Sequence, residues 1–253
     1  MKNNNHFLTN SLLNIYERPS KKSSISSQII FGEKFIILSK NKGWLKIKTA
    51  CDNYKGYIRN PQFIKKFEPT HKIFKLKAKI YKKNKKNKFS PTKNYLTFSS
   101  QINISKKEKS FGEYNKNKWI KLADTKIISH IEKRFVKIFK IFLNTKYIWG
   151  GKSYKGLDCS ALVQLFFLYN RKFYPRDTKD QIKYSPKNSK NQKFSKGNII
   201  FWKGHIAVCI SNKELIHAYG PEKKVIIMPI NKTIERIKRT AGLEVKKLSS
   251  IKI

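Results

Sequence analysis

The 253 residues predict an α+β fold in which two small β-barrels precede a helix packed on an antiparallel sheet. Three observations carry this. Two segments, FGEKFIILSKNKGWLKIK from Phe31 and FGEYNKNKWIKLA from Phe111, share Phe-Gly-Glu, a polar turn, and a Trp opening an apolar/polar alternation, the period of a half-buried strand. Residues 159 to about 169 are apolar on nearly every side, which predicts a centrally buried helix. Beyond it, residues 199–202, 205–210, 214–218 and 225–228 read as strands separated by turn signals.

The expected domains are 1–70, 71–125 and 126–253. The first barrel runs from about Leu12 to Phe67 and closes on KGYIRN after the turn CDNYKG; the second runs from about Lys72 to Ala123. The Phe-to-Trp spacing falls from 13 residues in the first repeat to 8 in the second, a difference assigned to a shortened hairpin loop. Residues 82–88, KKNKKNK, read as a solvated loop. Next, Ile128, Ile131, Phe135, Ile138, Phe139 and Phe142 draw one apolar stripe along a helix that Asn144 would stop, with His130 beside the stripe as a surface or packing residue.

Lys and Arg number 57 against 15 Asp and Glu, a formal charge of +42, yet hydrophobic residues at 39% and aromatics at 13% exclude a disordered tail. The basic residues are scattered, and no zinc-finger spacing, RNP-like motif or helix-turn-helix is present. The charge therefore reads as a solvated surface that attracts polyanions without specific nucleic-acid recognition. Three cysteines, Cys51, Cys159 and Cys209, are too few and too dispersed for a disulfide scaffold or a metal knuckle. The first twenty residues lack the ~7–15-residue apolar core of a signal peptide, and no segment is apolar enough to span a membrane, so the expected address is cytoplasmic.

Cys159 follows a Gly-containing turn and heads the buried helix, where unpaired backbone N–H groups and the positive dipole end favour a thiolate. His205 opens a strand after Gly204, and His217 lies 12 residues on, so a hairpin turning near 211–213 can place both on one face. A nucleophile at a helix tip, a base facing it and a second group orienting that base form the arrangement covalent cysteine catalysis requires. The competing reading leaves Cys159 an inert core thiol and both histidines structural. Asp158, immediately before the helix, is placed to cap it.

From Tyr147 to Tyr219, the pieces YIWGG, GLDCSALVQ, YPRDTKDQ, KGNIIFW, GHIAVCI and LIHAYG resemble, in order, the catalytic domain of the NlpC/p60 cell-wall cysteine peptidases, which have a papain-like fold. The N-terminal barrels look like the bacterial SH3-like modules attached to that domain. The resemblance implies hydrolysis of the γ-D-glutamyl-diamino acid bond in peptidoglycan stem peptides, with Cys159 as nucleophile, His205 as base, His217 as orienting residue and Tyr147 beside the oxyanion. No cofactor is implied. A subgroup cleaves free stem peptides beginning with an unblocked L-Ala. By similarity to it, Asp158 would meet the substrate ammonium, Ser160 and Thr178 would bond the peptide, and Glu33 and Tyr54 would line the pocket from the first barrel. Plainer roles stand beside these: Glu33 as a hairpin residue, Tyr54 as a turn aromatic, Thr178 as the cap of a short helix. Arg176 and Asp177 read as loop braces.

Two positions depart from the pattern. Ala161 replaces a common Gly, and Asn198 replaces an Asp that serves a turn. The competing functional classes are a non-catalytic binder of wall peptides and a thiol acyltransferase or amidase on the same fold.

Overall fold

The computed structural model describes residues 5–187 and 193–252. It divides into two compact units, Met1–Ile131 and Glu132–Ile253. The first unit is built almost wholly of strands. Its seven-stranded sheet has the order Ile25–Ile30, Leu12–Tyr16, Lys55–Arg59, Trp44–Thr49, Lys34–Asn41, Asn5–Leu8, Phe63–Ile64. Alternation turns Leu8, Ile15, Ile29, Phe35, Ile47 and Ile58 into one core. A five-stranded sheet and a three-stranded sheet follow, packed around Ile73, Ala78, Ile80, Leu96, Ile102 and Ile120.

The two Phe-Gly-Glu repeats are not equivalent in space. In the first, Gly32 sits in a turn with a left-handed φ of +79°, where an added Cβ would lie 2.2 Å from the Gln101 carbonyl oxygen. In the second, Phe111–Asn115 is itself a strand, with Phe111 opposite Lys121 and Glu113 opposite Trp119. Both hairpins close through two residues, between Asn41 and Trp44 and between Asn115 and Lys118. The spacing difference therefore lies in where Phe-Gly-Glu falls along the strand and not in loop length. Residues 84–88 form the tip of a lysine-rich hairpin, with Asn84 Oδ1 accepting from the backbone of Lys86 and Lys88.

The expected long helix from Ile128 is shorter than its apolar stripe. Thr125–Ile127 instead pairs with His71–Ile73, and helix α1 covers only Phe135–Ile141. The segment between is fixed by side chains: Glu132 N–H donates to Asn170 Oδ1 at 2.9 Å, and the Glu132 carboxylate takes Arg134 at 2.8 and 3.0 Å. Those contacts with Arg134 hold the Glu132 carboxyl down at about 2. Asn144 does end the turn beyond α1, with φ +64°.

Helix α2, Cys159–Tyr169, is buried along its whole length, as its all-round apolar character dictates. It packs on the strands His205–Cys209 and Glu214–Tyr219. Helix α3 covers Thr178–Tyr184. The sheet is antiparallel in the order Lys224–Pro229, Glu214–Tyr219, His205–Cys209, Asn198–Trp202, Lys247–Ser250. Helix α4, Ile230–Ala241, and the strand Lys247–Ser250 were not anticipated from sequence. α4 offers the core only Ile230, Thr233, Ile234 and Ile237, then ends at Gly242 with φ +64°. Asn198 performs the turn duty of the missing carboxylate, its Oδ1 accepting from Ser195 N–H at 2.8 Å and its amide donating to Ser250 at 3.0 Å. Among the described residues, no helix is long and apolar enough to cross a membrane.

Candidate active site

The N-terminus of α2 is held by one carboxylate. Asp158 Oδ1 accepts from the N–H of Ala161 at 2.8 Å, from Ser160 Oγ at 3.0 Å and from Arg176 at 2.9 Å; Oδ2 accepts from Gly150 N–H at 2.9 Å and from Arg176 at 2.7 Å. The side chain thus caps the helix and forms a two-pronged ion pair in which Arg176 is 2% and Asp158 6% exposed. Arg176 also reaches Ser160 Oγ at 2.8 Å and the Gly151 carbonyl at 3.3 Å, so it braces the turn that presents Cys159. With five hydrogen bonds already accepted, Asp158 has little capacity left for an ammonium.

The sulfur of Cys159 is 3.9 Å from the Gly204 carbonyl oxygen and 4.0 Å from Thr178 Oγ1. Gly204, the residue before His205, therefore touches the sulfur. Thr178 is the first residue of α3, whose N-cap is Asp177, so Thr178 faces the thiol rather than capping its helix. His205 Nε2 and His217 Nδ1 are 2.9 Å apart, and His217 is wholly buried. Tyr219 lies flat on His217 with ring centres 4.6 Å apart and planes 12° apart.

Burial pushes the Cys159 thiol up to about 12, with the Asp158 charge adding to it and the Ile206 N–H, Thr178 and Arg176 opposing. Burial pulls His205 down to about 4, and burial followed by the His205 and Arg236 charges lowers His217 well below its usual range. Desolvation outweighs the helix tip, favouring the neutral thiol and the neutral imidazole. Tyr147, near enough to feel the charges of Cys159 and Asp158, is raised first by burial and stays a phenol able to donate.

These shifts carry a stability prediction. An unfolded histidine binds its proton near 6.5, whereas the folded His205 resists it until about 4. The stability from neutral burial is therefore complete above about 6.5 and lost as pH falls toward about 4, on the order of 3 kcal/mol. Urea titrations at pH 7.5 and pH 4.5 should show the midpoint falling, and His217→Gln should flatten that fall.

Glu33 and Tyr54 both belong to the first unit. Glu33 is 3% exposed, accepts from Ile30 N–H at 2.8 Å and has the Cys51 sulfur 3.6 Å from Oε1. Tyr54 is half-buried, its backbone N–H donating to Thr49 Oγ1 and to Asp52 Oδ1. Cys51, Cys159 and Cys209 form no disulfide. Trp44, Trp119 and Trp202 are core residues, whereas Trp149, two positions after Tyr147, is 68% exposed.

A helix-tip cysteine packed on a sheet that carries a histidine pair defines a thiol-centred α+β domain. Residues 144–241 match the NlpC/P60 family, and residues 15–62 match the bacterial dipeptidyl-peptidase Sh3 domain. The chain therefore contains an NlpC/P60 domain and a bacterial SH3 domain. It is 23% identical over 236 residues to the gamma-D-glutamyl-L-lysine dipeptidyl-peptidase of Bacillus subtilis (strain 168), covering 83% of this chain and 77% of that protein. Dipeptidyl-peptidase 6 of Lysinibacillus sphaericus is 24% identical over 235 residues, 82% of this chain and 84% of its own. Among solved structures, an NlpC/P60 family protein from Bacillus cereus ATCC 10987 shares the fold with a TM-score of 0.77 at 18% identity, over 90% of this chain and 94% of that one.

Proposed function

We propose that this chain is a cysteine peptidase that hydrolyses the γ-D-glutamyl-diamino acid bond of peptidoglycan stem peptides. The observation that carries the reading is the Cys159 sulfur 3.9 Å from the carbonyl oxygen of Gly204, the residue before His205, with His205 in turn bonded to His217 at 2.9 Å. The names of the relatives supply the substrate class.

In this mechanism the thiol attacks the γ-glutamyl carbonyl as His205 Nδ1 takes its proton, so ionisation accompanies attack, consistent with the favoured neutral forms. The S–C bond forms and the carbonyl electrons move to oxygen, where the backbone N–H of Cys159 and the Tyr147 hydroxyl receive the charge. Protonated His205 then donates to the departing amine as the C–N bond breaks. Water, deprotonated by His205, cleaves the thioester and restores the thiol. His217 keeps the imidazole oriented throughout. Ser160 and Thr178 bond the peptide, and Asp158 meets an L-Ala ammonium only by giving up part of its hold on Arg176. Within the SH3 part, division at 70 and 125 into two SH3-like barrels belongs to the same reading, as does a cytoplasmic setting in which free, acidic stem peptides meet a basic surface.

The test is incubation of the full chain with L-Ala-γ-D-Glu-L-Lys, following release of L-Ala-D-Glu and lysine by mass spectrometry. Wild type should produce both and Cys159→Ala neither; product undiminished in the variant would refute the mechanism. The strongly raised thiol favours one competing reading, a non-catalytic peptide binder. In that case a thiol-reactive probe would label Cys159 no faster than the half-buried Cys51.

A further inference from the structure

We propose that Met228 is a positioning residue that sets the tautomer of both histidines, an inference that rests on the assignment of His205 as the base. The strands Glu214–Tyr219 and Lys224–Pro229 pair antiparallel, with His217 opposite Ile226 and Leu215 opposite Met228. Met228 is thus the diagonal neighbour of His217 on the same face of the sheet. Its Sδ lies 3.4 Å from His217 Nε2.

A thioether sulfur accepts a hydrogen bond and cannot donate one. The contact is favourable only when Nε2 of His217 carries the hydrogen. A neutral imidazole has a single N–H, so Nδ1 of His217 is then bare and accepts from His205 Nε2–H across 2.9 Å. His205 has spent its only hydrogen on that bond, and its Nδ1 presents a lone pair. The reverse tautomer would set lone pair against lone pair at Met228 and put a hydrogen on His205 Nδ1, leaving nothing to accept the thiol proton. Double protonation of His217 is opposed by burial and by the charges of His205 and Arg236. Tyr219, stacked 4.6 Å away, blocks rotation of the His217 ring, so both nitrogens stay aimed at their partners.

A merely structural Met228 would pack against its apolar neighbours, such as Leu215 and Ile230, and nothing more. The two roles separate by ¹⁵N-histidine spectroscopy on the full chain at pH 7. The expected pattern has pyrrole-type Nε2 and pyridine-type Nδ1 on both His205 and His217. Met228→Leu keeps the bulk and removes the acceptor, so both rings should become tautomer mixtures and kcat/KM should fall about 5-fold through kcat. Met228→Gln restores an acceptor oxygen and should restore the wild-type pattern. A wild-type His217 bearing hydrogen on Nδ1, or a Leu variant with both tautomers unchanged, would overturn the proposal. These spectra do not depend on turnover: the expected nitrogen pattern in a protein that fails to cleave the tripeptide would sink the peptidase reading while supporting the tautomer assignment.

Discussion

His205→Ala is expected to lower kcat/KM on the tripeptide by a factor on the order of 10³ with the fold retained, because the side chain opens its strand and the neighbouring Gly204 meets the sulfur through its backbone carbonyl. With the thiol raised to about 12, almost no thiolate exists at neutral pH without the imidazole, so alkylation of Cys159 should slow in parallel with hydrolysis. The pH profile of the wild type follows from the same pair. The base must be unprotonated, and His205 binds its proton only near 4, so activity is present above that value and lost as pH falls through it. An acid limb at 6.5 would show that the imidazole is ordinarily solvated.

Arg176→Met should be the most destabilising single change in the second unit, by about 3–5 kcal/mol. It leaves Asp158 buried without its cation, strips Ser160 Oγ and the Gly151 carbonyl of a donor, and loosens the turn before Cys159. Adding Asp158→Asn removes the stranded charge, so the double variant should cost less than the sum of the two singles. Urea unfolding of all four proteins measures this coupling. Strict additivity would mean that the two side chains act independently, against the two short contacts between them.

The legibility of the site followed from chemistry that is local in sequence. Cys159 heads its helix because Asp158 caps it, and a cap is a one-residue signal; the two histidines fall on neighbouring strands because the turn between them is short. Desolvation was not legible. The helix tip promised an ionised sulfur, yet the layers closing over Cys159 outweigh it, and burial depends on contacts that sequence spacing does not encode. The role of Arg176 was only half visible: a brace could be read from the loop, but not the partner it binds 18 residues earlier.

The fold divides in the same way. All-round apolar character placed α2 at 159 to about 169, where the helix runs, and each of the four strands from 199 to 228 lies within a residue or two of its expected bounds. The stripe from Ile128 misled because tertiary pairing overrode periodicity: Thr125–Ile127 found a sheet partner and Glu132 was tied to Asn170 before a helix could begin. α4 escaped notice because its apolar side is three isoleucines in an otherwise polar run, and the strand Lys247–Ser250 because its outer partner lies about fifty residues upstream.

That distant strand has a consequence for assembly of the unit. Asn198–Trp202 carries a full row of backbone groups on its open side, satisfied only when Lys247–Ser250 arrives, and Lys247 then clamps the carbonyls of Ile182 and Ser185 at the end of α3. A nascent or truncated chain ending after α4 would hold Cys159, His205 and His217 yet display a bare template for strand addition, so such a fragment should self-associate through that margin instead of persisting as a monomer.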